Sequence, residues 1–226
     1  MLAEADIPAQ QLKGFDMSYD WKFHHIMNNI AKGKKNTNAI MKHFNWVDSV
    51  YPGNAYLMEF TSNHDENSWN GTEYERLGQG AQTFAVLAAT TRGMMLMYNG
   101  QESGFNRRLK FFEKDSIDWG TYRLTSFYQT LISLKKKNKA LWNGEEGGSL
   151  KRIFTNRDST VFAFTRQKDD QKVLVICNLS AKPLEVKIKS VDLAGSYNEV
   201  FSGKEQTFEE KATMNLKPWE YLVYEK

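Results

Sequence analysis

A parallel α/β unit followed by an all-β unit is the fold class that this sequence predicts. Three observations carry it. Over residues 1–143 short apolar runs alternate with stretches of helical apolar spacing. After residues 138–148 short β-type runs follow one another, with turn residues between them. At the junction, Trp142-Asn143-Gly144-Glu145-Glu146-Gly147-Gly148 holds three glycines and no regular period, so it reads as a boundary between units 1–143 and 144–226.

The first unit opens on a short apolar start at residues 1–5, and residues 15–19 read as a second strand. Residues 24–32 have helical spacing only weakly, through His25, Ile26, Asn29 and Ile30. Residues 38–50 have it clearly, through Ile40, Met41, Phe44 and Val47. The apolar run 55–61 is a buried strand. Residues 76–91, rich in Ala and Leu, read as one helix, with Gly78-Gln79-Gly80 inside it as a close-packing site. Gly93 precedes a strand at 94–98. A long helix over 122–139 has Leu124, Phe127, Leu131, Ile132 and Leu134 on one face, and its final lysines suit the helix dipole. Strands buried on both faces and alternating with helices pair in parallel, so the spacing predicts four strand–helix units, beginning at Met1, Phe15, Ala55 and Met94.

In the second unit the expected strands are 150–155, 161–167, 172–178, 184–189, 197–201 and 221–224. Val161, Ala163 and Thr165 alternate with Phe162, Phe164 and Arg166, and lysines alternate with Val186 and Ile188. Turn residues at Asn156-Arg157-Asp158, Lys168-Asp169-Asp170 and Ser202-Gly203 complete the pattern of a small antiparallel sandwich.

The composition narrows the function. Thirty basic side chains against 27 acidic ones leave a net charge of +3, which gives no reason to expect a nucleic acid. No stretch approaches the roughly 20 apolar residues of a membrane span. Met1-Leu2-Ala3-Glu4 lacks the basic start of a secretory leader, and the compartment stays open. The single cysteine, Cys177, lies within an apolar run and reads as a buried, inert thiol. His24, His25 and His43 make no metal spacing. Asp6, Asp20, Glu66, Asp115 and Asp118 are scattered rather than grouped, so neither a metal nor any other cofactor is expected. Trp69 and Trp119 sit in polar loop sequence, where an indole is a candidate platform for a sugar ring.

The densest chemistry is Asn63-His64-Asp65-Glu66-Asn67, directly after an apolar strand. In parallel β/α folds the groups that do chemistry sit where strands end and loops begin. A His-Asp pair there can hydrogen-bond vicinal hydroxyls, and a carboxylate can stabilise an oxocarbenium-like transition state.

Phe60-Thr61-Ser62-Asn63-His64-Asp65 resembles the seventh barrel strand of the α-amylase family of glycoside hydrolases. The run from Gly93 through Tyr98 to Gly100-Gln101-Glu102-Ser103-Gly104 resembles that family's eighth strand and the loop after it. Met1-Leu2-Ala3-Glu4-Ala5 is similar, over a shorter stretch, to the end of the fifth strand. Lys217-Pro218-Trp219-Glu220 through Tyr224 is similar to the strand that closes the family's β domain. The resemblance implies strands five to eight of a (β/α)8 TIM barrel, followed by an antiparallel β-sandwich. It implies a retaining enzyme acting on α-1,4-glucosidic bonds, with Glu4 as general acid/base, Asp65 as transition-state stabiliser, and His64, Asn63 and Trp69 as substrate contacts. It assigns calcium, where the family uses it, to longer members. It also puts the nucleophilic aspartate on a strand ahead of Met1, so these residues alone are expected to be inactive. The partner it implies is an α-glucan or oligosaccharide. The alternatives are a glucanosyltransferase, a sucrose- or trehalose-active enzyme, or a non-catalytic sugar-binding or scaffold protein. Half a barrel would leave edge strands at 1–5 and 94–98, through which a homodimer is expected to pair.

Overall fold

The computed structural model describes residues 1–226, the side chain of Lys13 excepted. Four short strands form a parallel sheet in sequence order: β1 (Leu2–Ala3), β2 (Met17–Tyr19), β3 (Tyr56–Phe60) and β4 (Met94–Leu96). Leu2 aligns with Met17, Ser18 with Leu57 and Glu59 with Met95, so the carboxyl ends of all four strands face one way. The connections carry α1 (Pro8–Lys13), α2 (Trp21–Ala31), α3 (Asn38–Val50), α4 (Glu73–Leu77) and α5 (Ala81–Thr90), and α6 (Thr125–Lys137) follows β4. Helices between parallel strands are what the sequence pattern predicts.

An antiparallel sheet follows, built from β5 (Ser149–Ile153), β6 (Val161–Lys168), β7 (Gln171–Asn178), β9 (Gly195–Glu199), β10 (Glu205–Phe208) and β12 (Tyr221–Glu225). Its order is β10-β9-β12-β7-β6-β5. A second sheet pairs β8 (Leu184–Lys189) with β11 (Lys211–Leu216).

The period of two along β6 and β7 decides how these layers join. Val161, Ala163, Leu174 and Ile176 share one core with Val186 and Ile188 of β8 and Leu216 of β11. Phe162, Phe164, Val173, Val175 and Cys177, on the other face, share a core with Phe23, Ile40, Phe84, Leu131 and Leu134 of the helices. Successive side chains on a strand point to opposite faces, so β6 and β7 are buried on both. The sandwich therefore fuses to the helical layer through a continuous apolar core, in which each fully buried Phe is worth roughly 1.5–3 kcal/mol over an exposed one. Burial pushes the Cys177 thiol well up, in keeping with the inert thiol expected from sequence.

Several elements differ from the sequence pattern, each for a local reason. The helix expected over 76–91 is broken into α4, a 3₁₀ turn at Gly78–Gly80, and α5. Gly78 is left-handed at φ 58°, and a Cβ on Gly80 would come within 2.9 Å of the Trp219 ring. A capping box starts α4 at Thr72, whose side chain accepts from the Glu75 N–H while Glu75 accepts from the Thr72 N–H. The last helix begins at Thr125 rather than 122, because Tyr122 has φ 51°. Helix α1, with Pro at its first turn, has no apolar period in the sequence. Strand β10 is largely exposed and polar, which hides it from an apolar pattern, whereas β11 alternates Ala212, Met214 and Leu216, packed on the core, with the exposed Lys211, Thr213 and Asn215.

One buried charge joins the layers. Glu59 of β3 accepts from the Gly93 N–H at 2.9 Å, the Arg92 N–H at 3.2 Å and the Thr91 hydroxyl. Arg166 of β6 donates to the carbonyls of Thr91, Gly148 and Trp142 from the other side. Burial, then the Asp20 charge, pushes the Glu59 carboxyl up to about 7, against the Thr91 bond and the charges of Lys135 and Arg166. An unfolded glutamate titrates near about 4.3, so the folded chain binds this proton more tightly. That contribution to stability is complete below about pH 4.3 and is lost as pH rises through about 7. Glu59→Gln is therefore expected to flatten the fall in melting temperature between about pH 4.5 and 7. Thermal unfolding followed by circular dichroism checks this, and an unchanged slope contradicts it.

Candidate active site

The site forms where β1 and β3 end on the same side of the parallel sheet. Glu4 follows β1 directly, and His64 and Asp65 follow β3 after a short turn. The structure brings the three together: His64 Nε2 lies 3.4 Å from Glu4 Oε1 and 3.6 Å from Asp65 Oδ1. One oxygen of each carboxylate and one imidazole nitrogen all lie within 4.8 Å of one another. The side chains are open to solvent, at 61% for Glu4, 48% for His64 and 35% for Asp65. Tyr19, at the end of β2, lies beneath them. Its hydroxyl is raised above its ordinary value by burial, then by the charges of Glu4 and Asp65.

Trp69 is placed on the same rim, 56% exposed, in a π-helical turn at Glu66–Asn70. Asn63 is not on the rim. It is 1% exposed, and its Oδ1 accepts from the Glu66 N–H at 2.8 Å. This corrects the expectation of a direct sugar contact: Asn63 caps the turn that follows β3 and so orients it. Trp119 stacks on Tyr122, with ring centroids 5.8 Å apart.

Behind the rim is a buried polar network to which a reading of single motifs is blind. Arg76 of α4 donates to the carbonyls of Thr61 at 2.8 Å and Gly71 at 2.9 Å, and to Asn28 Oδ1 at 3.2 Å. Its guanidinium lies 3.8 Å from Glu66, whose carboxylate is also 3.1 Å from His24 Nε2. Burial favours the neutral His24 ring. Its Nδ1 faces the Phe60 carbonyl at 3.1 Å, and its Nε2 faces the Glu66 carboxylate, the Asn28 amide and the Arg76 guanidinium. Burial alone would raise Glu66, yet His24 first, and then Arg76 and Asn70, hold its carboxyl well below the usual range. His24 and Arg76 together therefore hold the first residue of the π-helical turn.

The loop after β4 is tied to the same strand end. Gln101 is buried, and its amide donates to Thr61 Oγ1 at 2.9 Å, to Glu73 and to the Tyr128 hydroxyl at 3.2 Å, while its Oε1 accepts from the Tyr98 N–H at 2.7 Å. Burial raises the Glu73 carboxyl, opposed by its bonds to Thr61 and Gln101. Gln101→Leu removes these four bonds at once and leaves the buried Glu73 with the Thr61 hydroxyl as its side-chain partner. We expect it to cost about 1–3 kcal/mol, read as a lower urea midpoint with an unchanged slope; an unaltered midpoint contradicts this.

Comparison with known proteins shows which folds these features resemble. Residues 161–223 match the model of the α-amylase SusG C-terminal domain. No curated protein sequence matches the chain. Among solved structures, a maltogenic α-amylase, AmyB from Thermotoga neapolitana, superposes with a TM-score of 0.81 at 17% identity, over 99% of this chain and 53% of that one. The α-amylase from H. orenii gives 0.72 at 20% identity, over 100% of this chain and 53% of that one. AmyP, crystallised with maltotriose, gives 0.72 at 17% identity, over 99% and 54%. The chain spans about half the length of these structures. Its fold is therefore that of the C-terminal part of the α-amylases, four strands of a (β/α)8 barrel followed by an antiparallel β-sandwich.

Proposed function

We propose that this chain contributes the acid/base and transition-state side of a retaining site for α-1,4-linked glucans. The observation that carries the reading is the meeting of Glu4 and Asp65 on one imidazole, from two strand ends of a parallel sheet. In this assignment Glu4 protonates the leaving oxygen and then activates water. Asp65 faces the positive charge that develops on the sugar ring, and His64 holds a sugar hydroxyl. Trp69 stacks on a sugar face, and Asn63 positions the turn that bears His64 and Asp65. AmyP, which shares the fold, takes maltotriose and maltose, which supports an oligosaccharide as the ligand. We take residues 1–143 as the partial catalytic barrel and 144–226 as the C-terminal domain.

With those roles filled, the cluster holds no third carboxylate to serve as nucleophile. Retaining hydrolysis needs both an acid/base and a nucleophile about 5–5.5 Å apart. The purified 226 residues are therefore expected to turn over no maltooligosaccharide. A chimera that joins the unmatched half of AmyB ahead of Met1 is expected to gain turnover. Within it, Glu4→Gln and Asp65→Asn each lower kcat by about 10²–10⁴-fold. Turnover by the chain alone, abolished by Glu4→Gln, contradicts the assignment, as does a folded, active chimera indifferent to both changes.

The sheet geometry also favours self-association. β1 and β4 each have a single strand partner, so both edges offer free backbone groups. A two-fold pairing of β4 in one copy with β1 in the other would close eight strands. Light scattering is expected to give a dimer, and a monodisperse monomer contradicts this pairing.

A further inference from the structure

A groove of about 860 Å³ runs between α2, α3 and the end of β5, and no part of the proposed chemistry uses it. Neither Glu4, His64, Asp65 nor Trp69 lines it. Its lining holds four cations, Lys22, Lys35, Lys42 and Arg152, and, among the described residues, no carboxylate. The three lysines are exposed, and among the described residues none of them is in an ion pair. Between the cations the surface is apolar. Ile26 and the partly buried Met41 lie on the helical side, and Phe154, 69% exposed, lies on the sandwich side.

The groove is built before any partner arrives. Asp20 accepts from the Phe23 N–H at 2.9 Å and pairs with His43 Nε2 at 2.8 Å, so one carboxylate joins the start of α2 to the middle of α3. The Phe23 and Phe44 rings, 5.2 Å apart, close the same seam. The turn between the two helices is tied to the sandwich. There the Thr37 N–H donates to the Ser159 carbonyl at 3.4 Å and its hydroxyl to that of Asp158. Arg152 is anchored by the carbonyls of Val161 at 2.6 Å and Ala163 at 3.0 Å, and the Lys22 ammonium sits 3.6 Å from the centre of the Trp46 ring. A surface preformed in this way loses little ordering entropy on binding.

The chemistry of the groove selects its occupant. Lys35 precedes α3, Lys42 lies on its second turn, and Lys22 faces Trp46 further along. From Asn38 to Trp46 the helix rises about 12 Å. A row of like charges over that length suits several anionic groups in series better than a single one. A phosphate chain or a nucleic-acid backbone would meet the lysines but leave Phe154 and Met41 uncovered. A neutral sugar would leave the cations without counter-charge. An amphipathic helix with acidic flanks satisfies both needs. Apolar side chains at i, i+3 and i+4 fill the seam between α2 and α3, and carboxylates on either side meet the lysines.

We propose that this groove docks an acidic amphipathic helix of a partner protein, with Phe154 and Met41 taking its apolar side chains and Lys22, Lys35 and Lys42 its carboxylates. The inference does not rest on the glucan reading of the rim. Fluorescence anisotropy tests it, with the chain titrated into a labelled synthetic helical peptide that has leucines on one face and glutamates flanking them. Saturable binding that weakens as salt is raised is expected. The double variant Lys35→Glu, Lys42→Glu is expected to lower affinity by roughly tenfold or more. Phe154→Ala is expected to lower it on the order of tenfold, while Phe154→Leu keeps it because the side chain stays apolar. All three positions are exposed, so unchanged urea midpoints are expected. His64→Ala is expected to leave peptide binding unaltered, which separates this surface from the rim. No saturation up to millimolar chain overturns the proposal, as does equal binding of a peptide with lysines in place of the glutamates. Equal binding of polyglutamate, indifferent to Phe154→Ala, makes the face a general polyanion surface and overturns it too. Tighter binding of a DNA oligonucleotide, lost in the double variant, assigns the groove to nucleic acid instead.

Discussion

The guanidinium of Arg76 holds the end of β3, and the placing of His64 and Asp65 depends on it. Two carbonyls, one amide and one carboxylate converge on it from β3, α2 and the turn after β3. The Thr61 carbonyl fixes where the strand stops. Glu66 fixes where the π-helical turn starts. His64 and Asp65 lie between those two points, so they project outward from a backbone clamped on both sides. A buried ion pair adds little net stability over well-packed apolar groups, but losing one partner leaves a costly unpaired charge. Its worth here is geometric: it sets direction at a strand end whose side chains remain open to solvent.

The same device appears on the opposite side of β3. Glu59 points into the layer between sheet and helices, where Arg166 comes from the sandwich to meet the carbonyls that follow α5 and α6. Phe162, Phe164 and Arg166 share one face of β6, so apolar burial and polar bridging act along a single strand. The sandwich is thereby a brace for the helical layer, and the helical layer carries Arg76. Site geometry and C-terminal packing are parts of one mechanical chain.

Much of this is legible in the sequence, and the limits have physical causes. Helix α3 and strand β8 fall where their periods put them, because each has one face in a core and one in water. Gly78 and Gly80 break a helix that Ala and Leu content alone would continue, since one needs a left-handed backbone and the other the space beside Trp219. Strand β10 escapes because an exposed, polar edge strand has no apolar period, while β11 does have one, in Ala212, Met214 and Leu216. At the site, His64 and Asp65 stand out as a charged group behind an apolar strand, and the resemblance draws Glu4 to them across two strands. Asn63 looks like part of the same surface, yet its side chain turns inward to cap a turn, a direction that no local pattern encodes. Asn67, whose side chain accepts from the Leu109 N–H, and Gln101 lie within motifs that the sequence singles out and Arg76 does not, but the bridging role of all three is not written in the sequence. Each acts by joining segments far apart in the chain, and only the fold brings those segments together.

The central claim is that the end of β3 meets a sugar at His64. The chain has four histidines, of which His24 and His43 are buried and so serve as internal references. Their ring protons can be followed by NMR during titration with maltoheptaose. The account predicts a saturable shift of the His64 resonance, with those of His24 and His43 unmoved. A silent His64, or a drift of the buried histidines with it, would contradict the claim.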